Sequence, residues 1–328
     1  MSSIKDVGQR RKLRAKPFRA ADKLFFGVST AAAYSAIVII FLILIFLMQR
    51  AAPAFQEQGV LEFVFGTGWE VGQDNAGEII MRIGPQLYGT LLIAALGTLM
   101  AVPMAISIAY FIVFLAPRWL SRATTILIDL LAAIPSVVIG LWGLVVFGPV
   151  AVEWATILHE SLGWIPIFAH DAGTFTNSPF IASLIVSIMI VPIIASVTRE
   201  IFSQMDREVI NAAMALGANR ESAFRRVIMP TSAGGITGGV LLALGRAMGE
   251  TVAIFFVLNL VYDRFNWYEI LEPEGGNVAS LILAKFGEAT EREVAGLMAA
   301  GVVLFIVTLI VNAIASYIVA KSQPWRKL

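Results

Sequence analysis

The chain reads as an all-α, polytopic transmembrane helical bundle of six spans. Of its 328 residues 58% are hydrophobic and only 14% are charged, whereas a soluble domain carries about a quarter charged. The apolar residues are gathered into long unbroken runs and do not alternate over short stretches, which fits helices and not barrel strands. Lysine and arginine are also divided unevenly among the segments between the runs. Inside hydrocarbon every backbone N–H and C=O has to be paired within the protein, so only helices and closed barrels can cross it.

Six runs are long enough to cross about 30 Å of hydrocarbon at about 1.5 Å per residue. They lie at Leu24–Met48, Leu87–Leu115, Thr124–Val150, Phe180–Val197, Gly235–Val261 and Val294–Ala320. The first is too long for the apolar part of a signal peptide and is read as a retained span. The third holds Asp129, Pro135 and Pro149, so it is expected to be broken, tilted or bordered by a re-entrant piece. The fourth holds Pro192. The organisation expected is a basic tail (1–23), a first span (24–48), a long loop (49–86), a core of five spans (87–320) and a short tail (321–328).

Six crossings place both termini on one side, and the positive-inside rule chooses the side. Lys5, Arg10, Arg11, Lys12, Arg14, Lys16, Arg19, Lys23, Arg118, Arg122, Arg199, Arg207, Arg220, Arg225, Arg226, Lys321, Arg326 and Lys327 share one side, and only Arg50, Arg82, Arg264, Lys285 and Arg292 lie on the other. Eighteen against five makes the first side cytoplasmic, N-in and C-in, with Arg246 left inside a span. The outward segments Gln49–Gln86, Ala151–Pro179 and Tyr262–Glu293 are acidic. They read either as a solvated surface or as a docking face for an external partner. Glu70–Gly77 and Pro273–Asn277 carry the Gly, Asn and Asp punctuation of turns.

The cytoplasmic loop 198–231 is patterned. Val209, Ala212, Ala213 and Leu216 recur at helical spacing, and Gly217 stands where a helix-terminating glycine belongs. Ala223, Phe224, Val227 and Ile228 share the face of a second helix, which Pro230 is expected to stop. A small-residue helix of this kind can enter a groove on another protein. Asn211-Ala212-Ala213, Gly217, Val227 and Met229-Pro230 together resemble the cytoplasmic signature of ABC importer permeases, with Asn211 in place of the family's Glu and Met229 in place of its Leu. The resemblance implies a type I importer permease fold and a helix that docks into a cleft of an ATP-hydrolysing subunit. The alternative is a helical hairpin that packs only on its own bundle. No GxxxxGK[ST] phosphate loop occurs, so ATP and Mg would be held by a partner and this chain by itself is not an enzyme.

Arg246 lies about 18 Å into the fifth run. An arginine at that depth costs at least about 2.5–3.5 kcal/mol and usually faces a bundle interior or a water-filled path. Glu250 is one helical turn on, and Thr251 follows it. Two readings stand: a buried Arg–Glu pair that joins helices, or an anion site whose guanidinium is moderated by the carboxylate. Guanidinium suits phosphate because its planar donors meet two oxygens at once. Gly245-Arg-Ala-Met-Gly-Glu-Thr251, Gly89-Thr-Leu91 and Ile134-Pro-Ser-Val-Val-Ile-Gly-Leu-Trp-Gly143 resemble the phosphate-importer permeases, and the basic tail with its following loop resembles the PstC-like member. That resemblance implies a permease of a phosphate importer in the cell membrane. It would pair with a second, PstA-like permease, two copies of an ATP-binding subunit and an external phosphate-binding protein. The substrate pathway would take in Arg246, Glu250, Thr251 and Ser136, and the coupling surface Asn211, Ala212, Ala213, Gly217 and Pro230.

The remaining features have plainer alternatives. Gly234, Gly235, Gly238, Gly239, Gly245 and Gly249 give the fifth run a close-packing stripe, for this bundle or for a partner permease. Asp129 is expected at an interface, hydrogen-bonded, with a proton relay as the other option. Ser136 would satisfy a carbonyl freed by Pro135 or line the pathway. His159 and His170 fall in one acidic loop without a metal-binding motif. Trp142, Trp154, Trp164, Trp267 and Trp325 read as an interfacial belt, and the basic tail as facing anionic lipid and not nucleic acid. Without cysteine, disulfides and thiol chemistry are excluded. The rivals to a phosphate permease are a sulfate, molybdate or other oxyanion permease, an ion-coupled secondary transporter and a non-transporting scaffold.

Overall fold

The computed structural model describes residues 20–70 and 79–321. The basic tail to residue 19, residues 71–78, where turn punctuation was read, and the end from 322, with Trp325, lie outside them. Six helical stretches among the described residues are long and apolar enough to cross a membrane: Lys23–Gln58, Gly84–Leu115, Ser136–Leu162, Pro179–Ser203, Arg220–Met248 and Glu291–Lys321. The chain divides into two compact units, one up to Phe46 and one from Leu47. The described part of the first is the opening of α1 (Ala20–Gln58), whose Leu24, Phe25, Tyr34, Ile37 and Phe41 are exposed as on a helix solvated by lipid.

The second unit is organised around two helices, α3 (Gly84–Tyr110) and α7 (Pro179–Ser203). Gly97, Ala101, Ala105 and Ala109 recur at four-residue spacing on α3 and are all buried. A Cβ on Gly97 would lie 3.2 Å from both the Ser183 carbonyl and the Val186 side chain. Without a hydrophobic driving force between helices in lipid, such small residues gain association by letting backbones approach. Ile181, Ile185, Val186, Met189 and Ile190 of α7 complete this core with Ala243, Ala247 and Met248.

Three widened π-helical turns each end two residues before a proline: Phe111–Leu115 before Pro117, Gly143–Phe147 before Pro149, and Phe224–Ile228 before Pro230. A proline ring clashes with the carbonyl one turn back and offers it no amide. A π turn shifts the hydrogen-bonding partner and absorbs the mismatch. One sequence reading is therefore corrected. Pro230 does not stop a helix, because α9 (Arg220–Ala223), the π turn and α10 (Met229–Met248) form one helical stretch. Pro149 likewise sits inside a stretch that runs from α5 (Ser136–Trp142) through α6 (Gly148–Leu162).

The third span does break, but at Pro135. Here α4 (Arg118–Ala133) ends and Ile134 and Pro135 are extended, as the residue before a proline is driven to be. The crossing stretch begins at Ser136 and not at Thr124, and it carries on through residues read as loop. Asp129 of α4 lies 3.9 Å from Arg199. The fifth run is likewise not one helix to Val261: α10 ends at Met248, Gly249–Thr251 are irregular, and a short α11 (Val252–Val257) follows. Gly235 and Gly239 of its stripe pack within this chain, where a Cβ would meet Ile201 at 2.5 Å and Val197 at 2.9 Å, while Gly238 faces open space.

The segments read as loops at the far end of α3 from Tyr110 are partly ordered. α2 (Val60–Phe65) leads to a two-residue antiparallel pairing of β1 (Trp69–Glu70) with β2 (Ile80–Met81). The Trp69 indole N–H donates to Glu293 Oε1 at 2.8 Å, tying this hairpin to α13 (Glu291–Lys321). The Tyr262–Glu293 segment contains α12 (Val278–Phe286), whose Val278 and Leu281 are buried with Phe63, Met81 and Leu297. Burial, and then the Glu293 carboxylate, push the Tyr262 phenol up from its ordinary value. Lys285 Nζ lies 5.6 Å from the centre of that neutral ring.

Gly89 on α3 has the tightest approach, because a Cβ there would lie 2.0 Å from the Gly276 carbonyl oxygen. Gly89→Ala is expected to destabilise by about 1–3 kcal/mol, as overpacking does. The check is the thermal midpoint of the purified protein in detergent, which should fall by several degrees. An unchanged midpoint would show that the contact is not needed.

Candidate functional site

The Gly217 hairpin is built from local rules. Asp206 caps α8 (Arg207–Ala215) by accepting from the Glu208 amide at 2.8 Å. At the other end Gly217 N–H donates to Met214 C=O at 3.0 Å and Ala218 N–H to Ala213 C=O at 3.1 Å. This paired closure needs a left-handed residue at Gly217, which has φ +90°. Asn219 then caps the next helix by accepting from the Ser222 amide at 2.7 Å. Phe224 lies 4.6 Å from Tyr110, and Phe202 lies 5.7 Å from Phe114, ring centre to ring centre. These aromatics fasten the hairpin to the ends of α3 and α7.

Its other face is bare. Asn211, Ala212 and Gly217 are exposed, Ala213 and Pro230 half-buried. Leu216 is 90% exposed, with Val209 and Met214 also in the open. An apolar face at this end of the molecule, beside Arg207 and Arg220, has the composition of a surface meant to be covered.

The second cluster surrounds the break after Met248. Arg246 lies in the last turn of α10 and is exposed. Among the described residues no ion pair joins it to Glu250 or to any other acid. The expected relation of one turn on a single helix is corrected: the helix ends between the two residues, at Gly249. Glu250 is buried, and its Oε1 accepts from the Ala253 amide at 3.3 Å. Thr251 Oγ1 donates to the Gly249 carbonyl at 3.1 Å. Ser136 opens α5, which packs on α11 closely enough that a Cβ on Gly140 would lie 2.7 Å from Ala253 Cα. The fold thus brings together the elements that carry Ser136, Glu250 and Thr251, and leaves the Arg246 guanidinium open.

Sequence reasoning missed Asn277 here. Its side chain N–H donates to the Glu250 carbonyl at 2.6 Å, and Asn277 is fully buried. An Asn three residues before a Ser, ahead of an apolar run, is a helix-start signal, but nothing in the sequence pairs it with Glu250. The two histidines do meet, 5.9 Å apart ring to ring. His159 Nδ1 faces the Phe168 carbonyl at 3.0 Å, and His170 lies 3.3 Å from a buried Glu272 that also accepts from the Asp171 amide at 2.5 Å. Among the described residues no group of three or more potential ligands is arranged to hold a metal ion.

Residues 101–324 match the model of the binding-protein-dependent transport system inner membrane component. The chain belongs to that family. It is a multi-pass membrane protein of a permease family. Over 92% of either chain it is 34% identical to the phosphate transport system permease protein PstC 2 of Mycobacterium bovis. It is 37% identical to the PstC of Haemophilus influenzae over 80% of this chain and 81% of that one. Among solved structures, a chain of a bacterial alginate ABC transporter matches with TM-score 0.54 at 18% identity, covering 94% of this chain and 99% of its own length. A chain of the MetNI methionine ABC transporter matches with TM-score 0.52 at 14% identity over 72% and 94%. These two likenesses concern the fold alone, and they bear out the bundle expected of an ABC transporter permease.

Gly217→Ala is the direct check on the hairpin of this permease-family chain. A side chain in left-handed backbone costs roughly 1–2 kcal/mol, which corresponds to about a 5- to 30-fold rise in opening of the turn. Amide hydrogen exchange over residues 207–218 should quicken by that factor while α7 is unaffected. Unchanged exchange would mean that the turn does not depend on glycine.

Proposed function

We propose that this chain is one of two related permeases of an ATP-driven importer of inorganic phosphate. The observation that carries the reading is the single helical stretch Arg220–Met248, which joins the exposed Gly217 hairpin to Arg246. At about 1.5 Å per residue it is about 44 Å long, the thickness of a bilayer. A push on α8 by an ATP-binding subunit would pass the short Gly217 turn and then travel to Arg246 along one helical stretch. The near-full-length identity to phosphate permeases supports phosphate as the cargo.

In this reading the charge bias puts the Gly217 hairpin and both termini in the cytoplasm. One of two copies of an ATPase, which would hold ATP and Mg, would dock there through Asn211, Ala212, Ala213, Leu216 and Gly217. The opposite end, with β1 and β2, would face outward to receive phosphate from a binding protein. A PstA-like permease would complete the path. Arg246 offers two parallel N–H donors to a phosphate oxyanion, and the Glu250 carboxylate beyond the break would keep the anion from binding too tightly to leave. Ser136 and Thr251 would supply neutral donors on the same route.

The test is labelled phosphate uptake at low external phosphate in cells whose own phosphate importers are deleted, with sulfate as control. The wild-type chain with its partners should restore phosphate uptake and not sulfate uptake. Arg246→Ala should lower that uptake by roughly 10- to 150-fold, the worth of a charge-assisted hydrogen bond, with the complex still assembled. Restoration of sulfate uptake instead would keep the machine and change the cargo, and normal phosphate uptake in the variant would remove Arg246 from the path. In a second measurement, depleting ATP with the ion gradient intact should stop uptake. Persistence would make the protein a gradient-driven carrier.

A further inference from the structure

We infer that Asn277 is a positioning residue for transport, which fixes the helix break after Met248 to α3 and so sets where Arg246 and Glu250 stand. The inference rests on the phosphate-importer reading above. An interrupted helix in a membrane has carbonyls without amides, and each needs another donor. At this break the Glu250 carbonyl lies outside the α10 ladder, and the Asn277 side chain supplies its donor at 2.6 Å.

Asn277 is in turn held on every side. Its Oδ1 accepts from the Ser280 amide at 2.7 Å, and its own amide donates to Ser280 Oγ at 3.2 Å. The next amide, Val278 N–H, donates to Thr90 Oγ1 of α3 at 3.1 Å, and Thr90 donates to the Gln86 carbonyl at 2.7 Å. The Gln86 side chain reaches the Val261 carbonyl at 2.8 Å, on the far side of the same loop. Gly276, with φ +122°, lays its carbonyl against Gly89 so closely that no Cβ fits. The turn that carries Asn277 is therefore fastened to the helix at the centre of the core, and the break is fastened to the turn.

A cap for α12 alone would not need this donor. The capping duties fall on the Asn277 oxygen and backbone, and an aspartate would perform them as well. The amide nitrogen serves only Glu250. Asn277→Asp separates the two roles, because it keeps the cap, loses the donor and puts a carboxylate against a carbonyl oxygen.

The experiment uses the full complex in proteoliposomes, with phosphate uptake measured per assembled complex at pH 7.5. Asn277→Asp should assemble and keep its basal ATP hydrolysis while uptake falls about tenfold or more, the cost of leaving a buried carbonyl unpaired. The chain has no cysteine, so Thr251→Cys reports on the break itself. Its labelling by a thiol reagent should quicken in the Asn277→Asp background. Uptake equal to wild type would overturn the inference and leave Asn277 as a cap only. If the variant assembles poorly, labelling of the membrane-embedded chain decides: a faster rate supports the inference and an unchanged rate overturns it. A wild-type complex that imports no phosphate would instead bring down the reading of function, and this inference with it.

Discussion

Inside hydrocarbon a backbone amide or carbonyl has no water to turn to, so an interrupted helix needs a partner from elsewhere in the fold. Pro149 and Pro230 follow widened turns that absorb their missing amides. The break after Met248 is answered by the amide of Asn277, drawn from a segment 27 residues further on. The extended Ile134–Pro135 link falls where α4 gives way to the crossing stretch. The same demand that makes helices compulsory thus also decides where they can stop.

Close approach at the core follows from that demand. Because helices in lipid gain little from apolar area, α3 and α7 associate through small residues that let backbones and side chains interlock. The arrangement is close-packed at its centre and leaves the two candidate regions at the edges. One is the Gly217 hairpin, clamped by aromatics on its inner face and bare on its outer one. The other is the end of α10, where an exposed Arg246 is followed, across the break, by a buried Glu250. A continuous helix joins them, so a rigid element and not a chain of loops connects the place where force would enter to the place where an anion would pass.

Much of this was legible in the residues. The apolar runs announced six crossings, and the Ala-Ala-x-x-x-Gly pattern placed α8 and its glycine turn, because capping and periodicity are local rules. The Arg246 position stood out because a charge in an apolar run is costly. Pro230 misled, since a proline reads as a stop unless the turn before it is known to widen. The link between Arg246 and Glu250 misled as well: a four-residue spacing implies one helical face only if the helix continues, and Gly249 ends it.

By itself the sequence determined the class of fold, the number of crossings and the patterned hairpin, since each follows from composition, spacing or charge along a single stretch. Only the tertiary structure decided where the third and fifth spans break, which glycines pack within the chain, and that Asn277 of one segment answers Glu250 of another. Those depend on which distant groups meet. A buried carbonyl takes whichever donor the packing of α3 brings to it, and no local pattern records that choice.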